Sequence, residues 1–512
     1  MVSKLLTTTV AAPGFMGLNT QDSSVSLEAG YATVANNCVI DKFGRIGARK
    51  GWSPSHSTNS DLSTANVKSI GELIDNAGNS YIIASGNNKL FKLVGSTLTM
   101  LTYGGGGTAP TITDSNWQMA PLNGVLYLYQ AGHDPLVFDP AVSASTFKRV
   151  SEKTGYVATV SSNNCVISAY GRTWSANNAT AKSTIQFSDL LAGHVLSTGT
   201  AGTLDVSQVW PNGADEIVAL AAHNNFLMVF GRRQILIYSN ATDPNNITLV
   251  DTISGVGCVA RDSVVTTGGD IIFLSDSGVR SLMRTIQEKS APMRDISANV
   301  RDDIVLEISL ETAADIKAVY SDKEAFYLLS LPARQLVYCF DMRSQLPNGA
   351  NRVTTWDGIL PTAFKYTRNK DLLLGKAGYV GSYSGYKDNT DGYFMKYYTN
   401  YFDFQAPTTI KIMKKVGVII VGGQGYNISL RFGFDYTDIF NVRQFALANA
   451  TIAEYNIAEY AIGEYGGSVF DNKIINIGGA GKVIQLGFET TVFNKSISIQ
   501  KLDVYVKTGK TR

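Results

Sequence analysis

The sequence predicts an all-β protein: a β-propeller of roughly six to seven blades, with an N-terminal extended segment before it and a C-terminal β-domain after it. Three observations lead there. The 512 residues carry 48 Gly among abundant Ser, Thr and Asn, a mixture suited to many tight turns. Short hairpins recur at a nearly constant interval. After about residue 390 that pattern gives way to longer strands and an aromatic run.

The hairpins set the architecture. Tyr81–Ser85 and Lys89–Val94 flank Gly86-Asn87-Asn88, and six more pairs of β-branched or aromatic stretches follow, the last being Asp371–Leu374 and Tyr379–Tyr383. Their turn centres fall near residues 87, 133, 178, 232, 277, 333 and 377, at gaps of 46, 45, 54, 45, 56 and 44. A beat of about 45 residues around a central hairpin matches one four-stranded propeller blade. A β-sandwich would instead show turns every 8–12 residues or so without the longer period. The run Phe226-Leu-Met-Val-Phe230 does not alternate, as expected of a strand packed on both faces.

The chain divides into an extended segment over 1–60, serving assembly and blade closure, a propeller over 61–390, and a β-domain over 391–512. Within the propeller, Ile296, Val300 and Ile304 recur at helical spacing, predicting a short helical insertion near 295–310. The last part carries strands at Lys411–Val421, Tyr426–Phe434, Lys482–Leu486 and Ile497–Val506. It also holds a five-residue repeat, Ala453-Glu454-Tyr455, Ala458-Glu459-Tyr460 and Gly463-Glu464-Tyr465. A period of five fits neither helix nor strand, so the repeat reads as an irregular, aromatic-studded loop, either locally packed or used in assembly.

Charge narrows the function classes. Lys+Arg 44 against Asp+Glu 42 leaves a net charge of +2 and only 17% charged residues, below the usual value of about 25%. No global basic field exists to drive tight nucleic-acid binding. Hydrophobic content of 44% disfavours disorder. The scarcity of charge has two readings, Ser/Thr-rich strand faces or a surface buried against neighbours. Four scattered Cys, at 38, 165, 258 and 339, form no CxxC pair and fit unpaired thiols made in a reducing cytoplasm. The opening Met1–Pro13 reads as mature sequence, because threonines break its apolar stretch. No run of about 18 apolar residues predicts a membrane-spanning helix.

Catalytic signatures are missing. GxSxG, HExxH, Walker A and GxGxxG do not occur. Tyr103-Gly-Gly-Gly-Gly107-Thr108 lacks the Lys-Ser/Thr of a phosphate loop, and His56, His133, His194 and His223 sit apart in turn-like contexts. Ser275-Asp276-Ser277-Gly278 only superficially resembles the Asp-box turn of sialidases. No metal, cofactor or catalytic residue is implied. Lys411, Lys414 and Lys415 cluster at the start of the apolar stretch Val416–Val421. They read either as gatekeepers against edge pairing or as residues near a passing DNA backbone.

The N-terminal segment is the most distinctive. It reads Gly17-Leu-Asn-Thr-Gln-Asp22-Ser, then Ala35-Asn36-Asn37-Cys-Val-Ile-Asp41, then Phe43-Gly44-Arg45-Ile-Gly-Ala-Arg49-Lys-Gly51-Trp52. This resembles the opening of the nozzle, or tail tubular protein B, group of short-tailed bacteriophages. Ala169-Tyr-Gly-Arg172-Thr-Trp174 with Ile185-Gln-Phe-Ser188-Asp189, and Val264–Ser281, are similar to the same group.

The resemblance implies a virion structural protein of the phage tail, assembled in the host cytoplasm: a homo-oligomeric ring, usually a hexamer, below the adaptor. Its channel would retain and conduct genomic DNA without sequence preference, and its outside would receive tail fibres or spikes. Interface contacts are expected around Asn36, Arg45 and Trp52 and at Tyr455, Tyr460 and Tyr465. The alternative is a carbohydrate-binding or carbohydrate-cleaving propeller acting on host-surface glycans.

Overall fold

The computed structural model describes residues 5–157, 160–288, 295–437, 439–447 and 470–509. Among them the chain folds as a β-propeller joined to a two-sheet β-domain. Each of the seven expected hairpins forms the second and third strands of one blade, which is why the 45-residue beat survives into three dimensions. Blade 1 is Val67–Ile74, Ser80–Gly86, Lys89–Val94 and Thr97–Met100. Blade 2 runs from Gln118–Leu122 to Thr146–Arg149, blade 3 from Cys165–Ala169 to Gly202–Asp205, and blade 4 from Ile217–His223 to Thr248–Ser254. Blade 6 spans Lys317–Ser321 to Asn351–Trp356, and the inner three strands of blade 7 are Ala363–Tyr366, Leu372–Lys376 and Tyr379–Tyr383.

Blade 5 is reduced. It has three strands, Val265–Thr266, Ile271–Ser275 and Gly278–Ser281, and the helix Leu282–Glu288 follows directly where an outer strand would start. Among the described residues the ring is thus six full blades and one partial one. Ser275 and Gly278 pair across the blade 5 turn, so the stretch that looks like an Asp-box is an ordinary hairpin corner. A second helix, Arg301–Ser309, continues from a 3-10 turn at Ala298–Val300 and buries Ile304 and Ile308.

Apolar packing between blades closes the ring. The stretch Phe226–Gly231 shows how: Leu227 and Val229 pack toward blade 3, while Met228 and Phe230 pack toward blade 5. With both faces buried, the strand has no polar side, and its sequence shows no alternation. Equivalent clusters fill the gaps between blades 1 and 2, 2 and 3, 6 and 7, and 7 and 1. Each fully buried Leu, Val or Phe contributes about 1.5–3 kcal/mol, so ring closure is a hydrophobic effect spread over every interface.

The N-terminal segment laces the two parts together. Trp52–Pro54 supplies the outer strand of blade 7, beside Tyr379–Tyr383. Seal and start are therefore far apart in sequence, and the propeller cannot close without residues that precede it. Tyr31–Asn36 lies between blade 6, parallel at Asn36 and Thr355, and the antiparallel strand Tyr393–Thr399. That pairing merges blade 6 with one sheet of the β-domain, which continues through Ile484–Val492 and Asn427–Phe434 to Asn441–Ala446. The other sheet is built on Lys411–Gly422 and Ile497–Thr508, and the N-terminal strands Leu5–Ala11 and Ile46–Ala48 pair with the latter. Val416, Val418 and Ile420 face Leu430, Phe432 and Leu486 across a shared core.

Candidate functional site

The ends of the innermost strands converge on the propeller axis, and there the structure places a dense polar cluster. Arg261 lies in the 3-10 turn Arg261–Ser263 that precedes blade 5. Its guanidinium reaches across the axis to Asn164 before blade 3 (O 2.8 Å, Oδ1 3.1 Å) and to Asn116 before blade 2 (O 3.0 Å, Oδ1 3.1 Å). Asp262 accepts from the same guanidinium at 2.8 and 2.9 Å. Lys317, the first residue of blade 6, donates to Asn116 Oδ1 at 2.5 Å and to Asp262. Asn116 Nδ2 returns a bond to Ala314 O at 3.0 Å. Four blades are thereby pinned through one buried network.

Electrostatics explain why these charges tolerate burial. Desolvation alone would raise the Asp262 carboxyl, but Arg261 and Lys317 outweigh it and hold it well below the usual carboxylate range. Burial pushes the Lys317 ammonium down, against the pull of Asp262. At the rim of the network Lys68 pairs with Asp114 (3.1 Å) and Asp315 (3.9 Å). The remaining space is a cavity of about 230 Å³ lined by Asn164, Asn177, Glu216 and Arg232 among others. The axis is a plug of matched charge. It is mixed in sign, with Lys68, Arg232, Arg261 and Lys317 against Asp114, Glu216, Asp262 and Asp315.

A second hub sits where the N-terminal segment meets both parts of the molecule. Arg49 is 0% exposed. Its guanidinium grips Asp388 with two bonds, 2.8 and 2.7 Å, and donates to Asn37 Oδ1 (2.8 Å), Lys50 O (3.0 Å) and Asp357 O (3.2 Å). It also lies 4.0 Å over the Tyr393 ring, a cation–π contact strengthened by desolvation. Asn37 adopts φ 54°, a left-handed conformation that Asn tolerates better than most residues. Its amide spans Asp357 Oδ1 (2.5 Å) and Phe394 O (2.8 Å). Two positions after Arg49, a Cβ at Gly51 would stand 1.8 Å from Lys387 O, so only glycine lets the chain pass here.

The expected site residues separate into distinct settings. Asn36 joins the hub, with its amide on Asp357 Oδ2 at 2.5 Å. Trp52 is buried in the blade 7 seal, under the Lys376 ammonium at 4.9 Å. Arg45 lies on a nearby surface turn, stacked on Phe43 at 4.2 Å and 3.7 Å from Asp41. Tyr455, Tyr460 and Tyr465 lie outside the described residues.

The three lysines do not form one patch. Lys411 is fully buried, its ammonium spent on Ala406 O (2.5 Å) and Lys482 O (2.6 Å). Lys415 rests 4.7 Å over the Tyr505 ring, and Lys414 is exposed. Arg49, Arg261 and Asp262 were not singled out by sequence reasoning as a site. Nothing local distinguishes Arg49 from its neighbours Lys42, Arg45 and Lys50, because the residues that set it apart, Asp357, Asp388 and Tyr393, lie more than 300 residues away. Among the described residues no three His, Cys, Asp or Glu side chains gather as a metal site, and no helix is long and apolar enough to cross a membrane.

No family model and no curated protein matches the chain. Solved structures do resemble it. PorZ, a surface component of the type-IX secretion system of Porphyromonas gingivalis, is 12% identical with a TM-score of 0.36, over 68% of this chain and 42% of that one. YCF48 from Cyanidioschyzon merolae is 10% identical with a TM-score of 0.39, over 65% and 98%. The Pan2 WD40 domain of Neurospora crassa is 10% identical with a TM-score of 0.38, over 65% and 96%. The chain spans less than half the length of the PorZ structure it matches. The assignment as a propeller rests on the sheet order and inter-blade packing described above.

Proposed function

We propose that this chain is a structural subunit of a short bacteriophage tail, a nozzle that forms a ring below the adaptor, conducts genomic DNA at ejection and receives fibres or spikes. The observation that carries the reading is the role of the segment with the family-like pattern. Asn36, Asn37 and Arg49, inside that pattern, build the hub that fixes propeller to β-domain. Asn19, in its first part, bonds Asp22 at 2.9 Å. The motif thus serves rigidity, which a tail part under mechanical stress needs, and its polar residues are consumed by the fold itself. The axial plug agrees with this reading in a specific way. A nucleic acid would find the propeller axis blocked by Arg261, Asp262 and Lys317, so a conduit would lie between copies, as a ring requires.

The chain is proposed to work without catalysis or a cofactor. Ring copies assemble by repeated heterologous contacts that close on themselves. Negative-stain images of the purified chain test this: hollow rings or short tubes are expected. Monomers that release sugar from bacterial cell-wall glycans would overturn it in favour of a carbohydrate-acting propeller.

A further inference from the structure

A cleft of about 940 Å³ lies where the N-terminal segment, blades 6 and 7, and the β-domain meet. Its volume is near the upper end of sites that hold drug-sized ligands, about 300–1,000 Å³. Stretches of chain from each of these parts form its walls, and the Arg49 hub and the inserted strands hold those stretches in fixed relation. The cleft is therefore preformed.

Its charge is unlike that of the rest of the molecule. Lys42, Arg45, Lys50, Lys323, Arg343 and Lys495 line it, against the two carboxylates of Asp41 and Glu324. Six cations to two anions is a larger excess than the whole chain carries, at +2. Internal pairing accounts for part of it: Arg45 with Asp41, Lys50 with Glu324, and Arg343 with Asp341 at 3.1 Å. Lys323 and Lys495 are exposed at its rim. Lys495 reaches only a backbone carbonyl, Gln424 O, at 3.0 Å. Low-dielectric walls around one sign of charge focus the field and favour a ligand of the other sign.

The walls are not purely cationic. Phe326, Tyr383, Tyr386 and Val421 contribute apolar surface, and Phe43 stands 51% exposed at the lip between the charges of Lys42 and Arg45. An unbroken row of phosphates would leave that apolar surface unmatched. An extended polypeptide, whose side chains alternate along its length, can set carboxylates toward the lysines and apolar groups toward the rings.

We propose that this cleft is a docking site for an extended acidic peptide segment bearing apolar or aromatic side chains, presented by a partner protein. The proposal stands independently of the tail reading, since any partner with such a segment would satisfy it.

The test is fluorescence anisotropy on the full chain. The probe is a labelled octapeptide alternating glutamate with phenylalanine, compared with its lysine–phenylalanine counterpart and a labelled oligothymidylate. The acidic peptide is expected to bind, more weakly as salt rises. The Lys323→Glu/Lys495→Glu double variant is expected to weaken it by roughly tenfold or more through like-charge contacts, with an unchanged melting temperature. Phe43→Ala provides a second probe of the same site, at an exposed position where folding is not at stake. Binding that ignores both variants, equal binding of the lysine peptide, preference for oligothymidylate, or no binding up to about 1 mM would each overturn the proposal.

Discussion

Arg49→Met removes the guanidinium at the junction while keeping most of its buried stem. All five N–H groups of Arg49 are engaged, two on Asp388 and one each on Asn37, Lys50 and Asp357. The variant therefore strands a largely buried carboxylate, Asp388 being only 15% exposed at its side chain. Breaking a buried pair from one side costs about 3–5 kcal/mol, or roughly 100- to 4,000-fold in a local opening equilibrium. Hydrogen exchange is the suitable assay, because an overall melting point mixes the propeller with the β-domain. Protection should fall by that factor in Tyr31–Asn36, Cys38–Ile40, Ile46–Ala48 and Trp52–Pro54, and hold in blades 2 to 4. Adding Asp388→Asn removes the stranded charge, so the double variant should recover much of the loss. Unchanged protection in those four strands, or an equal loss everywhere, would refute the idea that this hub holds the two parts together.

Four variants elsewhere in the fold have outcomes set in the same way. Asp262→Asn leaves Arg261 and Lys317 as buried like charges and should lower the urea midpoint by an amount equivalent to about 3–5 kcal/mol. Because the Asp262 carboxyl is held low in the fold, its stabilisation is present above the unfolded value of about 3.9 and is lost as pH falls below that toward the folded value. The gap between parent and variant should thus stay constant from about pH 8 to 5 and shrink below about pH 4. Asp295 behaves oppositely: burial raises it to about 6, against backbone donors at Ile296 and Ser281 and the charges of Arg280 and Arg284. The fold then binds a proton more tightly than the unfolded chain, so stability should decline as pH rises from about 4 to 6, and Asp295→Asn should flatten that decline in urea titrations. Lys411→Met leaves the Ala406 and Lys482 carbonyls without their donor and should cost about 1–3 kcal/mol. Lys414→Ala, exposed, should stay within about 0.5 kcal/mol of the parent.

The propeller was readable in the sequence because a blade is local: strands two and three of each lie within about a dozen residues, and their turns mark time. Blade 5 shows the limit. Its hairpin, Ile271–Ser275 and Gly278–Ser281, keeps the beat, but the replacement of its outer strand by a helix changes only the spacing that follows, from 45 to 56 residues. The N-terminal segment was less transparent. Leu5 pairs with Lys507, Asn36 with Thr355 and Trp52 with Tyr383, and no local pattern encodes partners at such distances. For the same reason Arg49 resembles its surface neighbours in sequence, and Lys411 resembles Lys414, although one of each pair is buried. Charge count alone cannot tell a solvated cation from one whose bonds are all satisfied within the fold.

In the proposed tail subunit the axis of each propeller is closed and the conduit forms between copies. Cryo-electron microscopy of the assembled full-length protein, with and without double-stranded DNA, tests this most directly. A closed ring is expected, in which each propeller axis keeps its Arg261–Asp262–Lys317 plug and DNA density runs along the bore between subunits. Isolated monomers, or density threading the axis of a single propeller, would contradict it.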